Sequence, residues 1–191
     1  MKTKSISFLV IVVLIGTYLI IDLTYVKSEK ISADHLIFEN YKEAIEASDA
    51  VVEVTASADS KNVLNKRPEY TTGYTETTVK INRVFENKND NVGAELLENT
   101  NITVLEPTYT ISNGIMPGAT QFNYEGYTKL VDKATYVLFL KWDKIRESYW
   151  IHALEQGKFN VDDKDKFEKA LVNESSQYEI LKQDVLETLY P

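Results

Sequence analysis

The chain has 191 residues, 21 basic and 29 acidic side chains, a formal net charge of −8, and no cysteine. The missing cysteine excludes disulfides, thiolate-held zinc or iron–sulfur centres, a thiol nucleophile and a lipid-modified amino-terminal cysteine. An acidic surface also makes nucleic acid a poor partner, because phosphate binding relies on lysine and arginine displacing counterions.

Residues 1–5, MKTKS, carry Lys2 and Lys4, and residues 6–21, ISFLVIVVLIGTYLII, hold no charge. Leu23, Tyr25 and Val26 continue the apolar run past Asp22, so membrane contact is expected through residues 6–26. This length lies between a signal-peptide core and a full span. Three readings stay open: an uncleaved anchor, a signal peptide cleaved near Val26-Lys27-Ser28, and a buried helix. In the first two, the basic start stays in the cytoplasm and the remainder is exported. The expected division is 1–30 as anchor or signal plus linker, and 31–191 as an extracytoplasmic domain. The expected location is the cell membrane, single-pass with the carboxy-terminal part outside, or alternatively the secreted fraction.

Residues 32–48 read as one helix, capped by Ser32, with Ile37, Tyr41, Ala44 and Ile45 on one stripe and His35 in its first turn. Residues 50–58 alternate, with Val52, Val54 and Ala56 on one face, as a half-buried strand does. Residues 59–70 read as a polar loop. Residues 71–85 form a long β-favouring run in which Val79 and Ile81 alternate with polar neighbours, and Gly73 marks a bulge or bend. Residues 86–93, ENKNDNVG, are turn-rich but lack the ligand order of a calcium loop.

Residues 100–106 form a short strand ended by Pro107. Residues 108–130 then hold three of the seven glycines, one of the four prolines and four aromatic residues. A connection this long is either a folded hairpin or a functional loop. Two apolar runs follow, 135–142 and 149–154, and pair across a charged turn. YVLFL at 136–140 is apolar on both faces, which predicts a strand covered on both sides. The expected core is Val52, Val54, Val79, Ile81, Ile102, Val104, Val137, Phe139, Trp150 and Phe159. Asp162 and Asp163 are expected to cap a helix over 164–172. Ser176 and Glu179 form a capping box for a last helix, whose stripe is Tyr178, Leu181, Val185 and Leu189.

This order of elements resembles the five-stranded OB-type barrel, in particular a family of exported bacterial domains distantly similar to netrin-like modules. The resemblance rests on Ser48–Val52, Thr78–Phe85, Ile102–Val104, Pro117-Gly118, Gly126-Tyr127, Tyr136–Leu140 and Gln156–Phe159. It implies a β-rich α+β fold: an OB-like five-stranded Greek-key barrel with one preceding helix and two carboxy-terminal helices, besides the amino-terminal transmembrane or signal helix. Netrin-like inhibitors of metalloproteases act through an amino-terminal cysteine, which this chain lacks, so that activity does not carry over.

No catalytic signature is found: no G-x-S-x-G, H-E-x-x-H, phosphate-binding loop or dinucleotide fingerprint. With only His35 and His152 a histidine-rich metal site is not available, and no cofactor or metal is expected. Strand alternation places His152 on one face with Trp150, and it reads as a structural or surface residue. Binding is expected instead at an aromatic cluster, Tyr70, Tyr74, Tyr109, Phe122, Tyr124 and Tyr127. Tyrosine offers a flat apolar face and a polar tip suited to recognition. The competing reading is that these rings plug one end of the barrel. The expected partner is a protein, a cationic peptide or a neutral glycan. The favoured function is a non-catalytic binding module; the alternatives are a cell-envelope hydrolase using a carboxylate pair, and an immunity or sensor protein.

Overall fold

A computed structural model describes residues 2–88 and 95–191, without the side chains of residues 2–10, 23 and 174. The fold is β-rich α+β, with two sheets and helices at both ends of the chain. Part of the turn expected at 86–93 lies outside the described residues, as do some side chains of the apolar run at 6–26.

Helix α1 runs Lys2–Thr24 and leads, after Tyr25 alone, into strand β1, Val26–Ile31. Among the described residues no helix is long and apolar enough to cross a membrane. The helix expected over 32–48 is much shorter: α2 covers Tyr41–Ala47. Its cap is Asn40, whose side chain accepts from Glu43 N at 3.0 Å, not Ser32. Residues 32–40 stay non-helical because tertiary partners claim their backbone. Ala33 N donates to Glu125 and Phe38 N donates to Gln156 Oε1, both at 2.7 Å.

Strand β2, Ala50–Lys66, and β3, Thr71–Asn87, form one long antiparallel hairpin. The loop expected over 59–70 thus shrinks to a short turn, and register shifts near Ala56/Ser60 absorb the irregularity. Gly73 sits in regular register opposite Leu64. It is required by close approach rather than by a bulge: a Cβ there would meet Val63 O at 2.4 Å and the Tyr109 side chain at 2.9 Å.

β4 (Asn101–Glu106) follows, then β5 (Thr108–Ser112) and β6 (Ala119–Tyr124). The stretch 108–130 is therefore largely a folded hairpin, and β6 pairs in parallel with β1 to complete a three-stranded sheet. Next come β7 (Thr135–Asp143), β8 (Ser148–Ile151), a 3-10 turn at Leu154–Gly157 and β9 (Lys158–Asn160). In the larger sheet β2 pairs with β3, β3 with β4, β4 in parallel with β8, β8 with β7, and β7 with β2. The succession of pairings returns to its starting strand.

Two apolar clusters result. One holds Val52, Val54, Val79, Ile81, Val104, Tyr136, Leu138 and Leu140. The other sets Val51, Val137, Phe139 and Phe159 against Tyr178, Leu181, Val185 and Leu189. YVLFL is thus buried on both faces, as its composition predicts. Ile102 and Trp150, expected in the core, are half-buried, since Ile102 packs at the rim of the first cluster and Trp150 faces a cleft.

The carboxy-terminal helices are α3, Lys166–Glu174, and α4, Ser176–Leu189. The cap of α3 is Asp165, accepting from Phe167 N and Glu168 N, rather than Asp162 or Asp163. The cap of α4 is Ser175, one residue earlier than expected, accepting from Tyr178 N.

Candidate functional site

A cleft of about 440 Å³ opens where four segments meet. The far end of the β2–β3 hairpin contributes Asn65, Thr72, Gly73 and Tyr74, the β7–β8 turn contributes Arg146, and β8 contributes Trp150. His35 and Leu36 come from the extended stretch before α2, and Pro107 and Tyr124 from the base of the β5–β6 hairpin. Ile151 to Leu154 form the floor.

One wall is an aromatic cluster capped by an arginine. The Tyr74 and Trp150 rings meet edge-on with centroids 5.5 Å apart, and the Arg146 guanidinium lies 5.1 Å from the Tyr74 ring and 5.5 Å from the Trp150 ring. Asp143 organises this wall. It accepts from Arg146 Nη1 at 2.5 Å, Trp150 Nε1 at 2.9 Å, Ile145 N at 2.8 Å and Arg146 N at 3.0 Å. Burial pushes the Asp143 carboxyl up, but these hydrogen bonds outweigh it and hold it well below the usual carboxylate range. The guanidinium is thereby fixed as a flat, permanently charged edge.

The floor is unusual in its backbone. Ala153 and Leu154 both adopt left-handed conformations, at φ 53° and 54°, which cost roughly 1–3 kcal/mol each in residues with a Cβ. The turn then tightens so far that a Cβ on Gly157 would meet His152 O at 1.8 Å. This winding turns His152 away from regular strand geometry. Its ring tilts against Phe38 at 5.8 Å, and its Nε2 is buried without a hydrogen-bond partner. Burial first, then the Lys141 charge, pushes its pKa down, against a smaller upward pull from Asp49. The ring is therefore neutral near pH 7, with a nitrogen free to donate or accept according to its tautomer. Beside it, Glu155 Oε1 lies 3.4 Å from His35 Nε2 while Oε2 is buried and unpartnered. Buried polar atoms normally find partners, so the orphaned His152 Nε2 marks the floor as a candidate ligand contact, while the orphaned Glu155 Oε2, three residues on, lies outside the residues that line the cleft.

The six aromatic residues singled out from sequence fall in different places. Tyr74 and Tyr124 line the cleft. Tyr109 is buried, stacks on Phe122 at 5.2 Å and donates its hydroxyl to Thr71 O at 3.1 Å. Phe122 is half-buried beneath it. Tyr127 is a core residue whose hydroxyl donates to the fully buried Glu106 at 2.7 Å. Tyr70 is exposed on the turn of the β2–β3 hairpin, beside Arg67. From sequence, Trp150 is a core residue, His35 a helix-turn residue and His152 a structural or surface one, and nothing marks Arg146 or Glu155. The local signal for them is slight, because the left-handed turn at Ala153 and Leu154 has no sequence mark and His35 arrives from a distant segment. Among the described residues no group of three or more histidine or carboxylate side chains is arranged to hold a metal.

No protein-family model matches the chain, and no curated protein is similar enough in sequence to count as a relative.

Proposed function

We propose that this chain is an extracytoplasmic binding module of OB-like architecture, anchored in the cell membrane by its amino-terminal helix. The OB-like reading is supported by the return of the strand pairings to β2 and by the parallel β4–β8 pair within them. The anchor is supported by the uncharged run 6–21 and by the exposure of every large apolar side chain described from Ile11 to Ile21. A helix apolar all round, whose large side chains stay exposed, suits a lipid environment.

The observation that carries the binding role is the cleft, with the unpartnered His152 Nε2 in its floor. It lies between the β2–β3 and β7–β8 loops, the end at which OB barrels take their ligands. Its size suits a compact ligand or one end of a chain. Flat aromatic edges, one fixed guanidinium and the His152 ring favour a neutral glycan over a cationic peptide. A polyanion is disfavoured by the acidic surface. The module works by capture: apolar sugar faces stack on the Tyr74–Trp150 wall, while a hydroxyl satisfies His152 Nε2.

Two measurements test this. Protease applied to intact cells should degrade the domain; protection until the membrane is broken would refute the topology. Binding of envelope glycan fragments, followed by calorimetry, should be lost in Trp150→Ala and His152→Ala but kept in Tyr70→Ala. Unchanged binding in the first two would remove the cleft from consideration.

A further inference from the structure

We infer that the tip of the β5–β6 hairpin is a second membrane contact, inserted into the lipid interface beside α1; this rests on the reading of α1 as an anchor. The hairpin tip, Asn113–Gly118, reads NGIMPG. Ile115 is 94% exposed and Met116 71% exposed, among the most exposed apolar side chains described. Such side chains at a loop tip are costly in water unless something covers them.

The tip is tied to the helix and to the residue that follows it. Tyr18 OH donates to Ile115 O at 2.9 Å, and Gly118 N donates to Asp22 Oδ1 at 2.9 Å. Ala119 N donates to Tyr25 O at 3.0 Å. Gly118, at φ +94°, admits this approach, because a Cβ there would meet Tyr25 O at 2.5 Å. From Asp22 to Tyr18 is four residues, about 6 Å along the helix axis. The tip therefore descends from the level of the only described carboxylate of α1 toward its apolar middle. That is the depth at which interfacial segments bury their apolar faces, about 5–10 Å. Tyr18 and Tyr25 flank the same level, where tyrosine rings concentrate at lipid boundaries.

Charge agrees with geometry. From Pro107 to Tyr124, 18 consecutive residues carry no charge in a chain that is 26% charged. The two sides of the hairpin can thus approach a low-dielectric phase without desolvating an ion. The chemistry the tip fits is a bilayer interface, not a folded partner.

The chain has no cysteine, so single labels are specific. Ile115→Cys, Met116→Cys and, as reference, Ile145→Cys in the β7–β8 turn are labelled with an environment-sensitive fluorophore. The full chain is then reconstituted into phosphatidylcholine–phosphatidylglycerol vesicles and floated on a density gradient. Labels at 115 and 116 should shift to the blue and be quenched by lipid-borne nitroxide, while the label at 145 keeps its aqueous emission. If the chain floats and the labels at 115 and 116 stay aqueous, the hairpin inference is overturned and the anchor stands. If all three labels shift alike, contact specific to the tip is overturned. If the chain does not float, the anchor reading falls and the inference falls with it.

Discussion

Lys158 Nζ lies 3.0 Å from Asp165 Oδ2 with both side chains sealed from solvent, at 2% and 0% exposure. The ammonium also donates to Thr128 O at 2.8 Å and faces the rings of Tyr127 and Tyr136, each 5.2 Å away. A pair taken out of water this completely gains little over an apolar replacement, yet breaking it strands a charge. Lys158→Met should destabilise the domain by about 3–5 kcal/mol in urea unfolding. Adding Asp165→Asn should cost less than in the parent chain. Strictly additive costs would show that the two groups are not coupled.

Glu106 is fully buried and accepts from Tyr127 OH and from Leu130 N, both at 2.7 Å, as well as from the Thr77 hydroxyl. Tyr127→Phe keeps the ring and removes one donor, for an expected loss of about 1–3 kcal/mol. Tyr127→Ala also opens a cavity and should cost about 3–5 kcal/mol. Equal losses for the two would mean that the ring contributes nothing as packing.

His152 gives the domain a defined acid sensitivity. Its folded pKa is depressed, chiefly by burial, below the ordinary value of 6.5. The unfolded chain therefore takes up the proton first as pH falls. The stability contributed by the neutral ring is complete above about 6.5 and is lost as pH drops through that value toward the depressed one. His152→Gln should flatten the fall in melting temperature between about pH 7 and about pH 5. An unchanged slope would assign the sensitivity to other groups.

Helices α3 and α4 cover one face of the larger sheet. A chain ending at Asp163 leaves Val137, Phe139 and Phe159 without Tyr178, Leu181, Val185 and Leu189. Each lost side chain removes about 1.5–3 kcal/mol of burial. The truncated chain should melt lower and bind an apolar dye that the full domain excludes. A melting temperature within a degree or so of the parent's would be inconsistent with a covering role.

The reach of sequence reasoning followed the range of the interactions. The stripe Tyr178, Leu181, Val185 and Leu189 is local periodicity, and those four are the residues of α4 that are buried. YVLFL announces two covered faces because no polar residue interrupts it. The start of α2 went wrong because Ser32 is an acceptable cap in isolation. What holds residues 32–40 extended is Glu125 and Gln156, about a hundred positions away. Strand β1 was hidden for the same reason: VKSEKI lacks an apolar face, and its partner β6 lies far along the chain. Of the cleft, the aromatic bias at Tyr74 and Tyr124 was legible. The strained turn that buries His152 and Glu155 was not, since neither Ala153 nor Leu154 advertises a left-handed backbone.

Only Tyr25 separates the last residue of α1 from the first of β1. There is no slack in that joint. Tension applied to captured material would pass along β1 and load its parallel ladder with β6 in shear, across all the paired positions from Val26 to Ile31 at once. Such a ladder resists a lengthwise pull better than a hairpin unzipped bond by bond. On the proposed anchored reading, the domain would stand as a stiff post rather than a float on a string. Across the six residues of β6, at about 3.3 Å each, it sets the cleft roughly 20 Å beyond the hairpin tip.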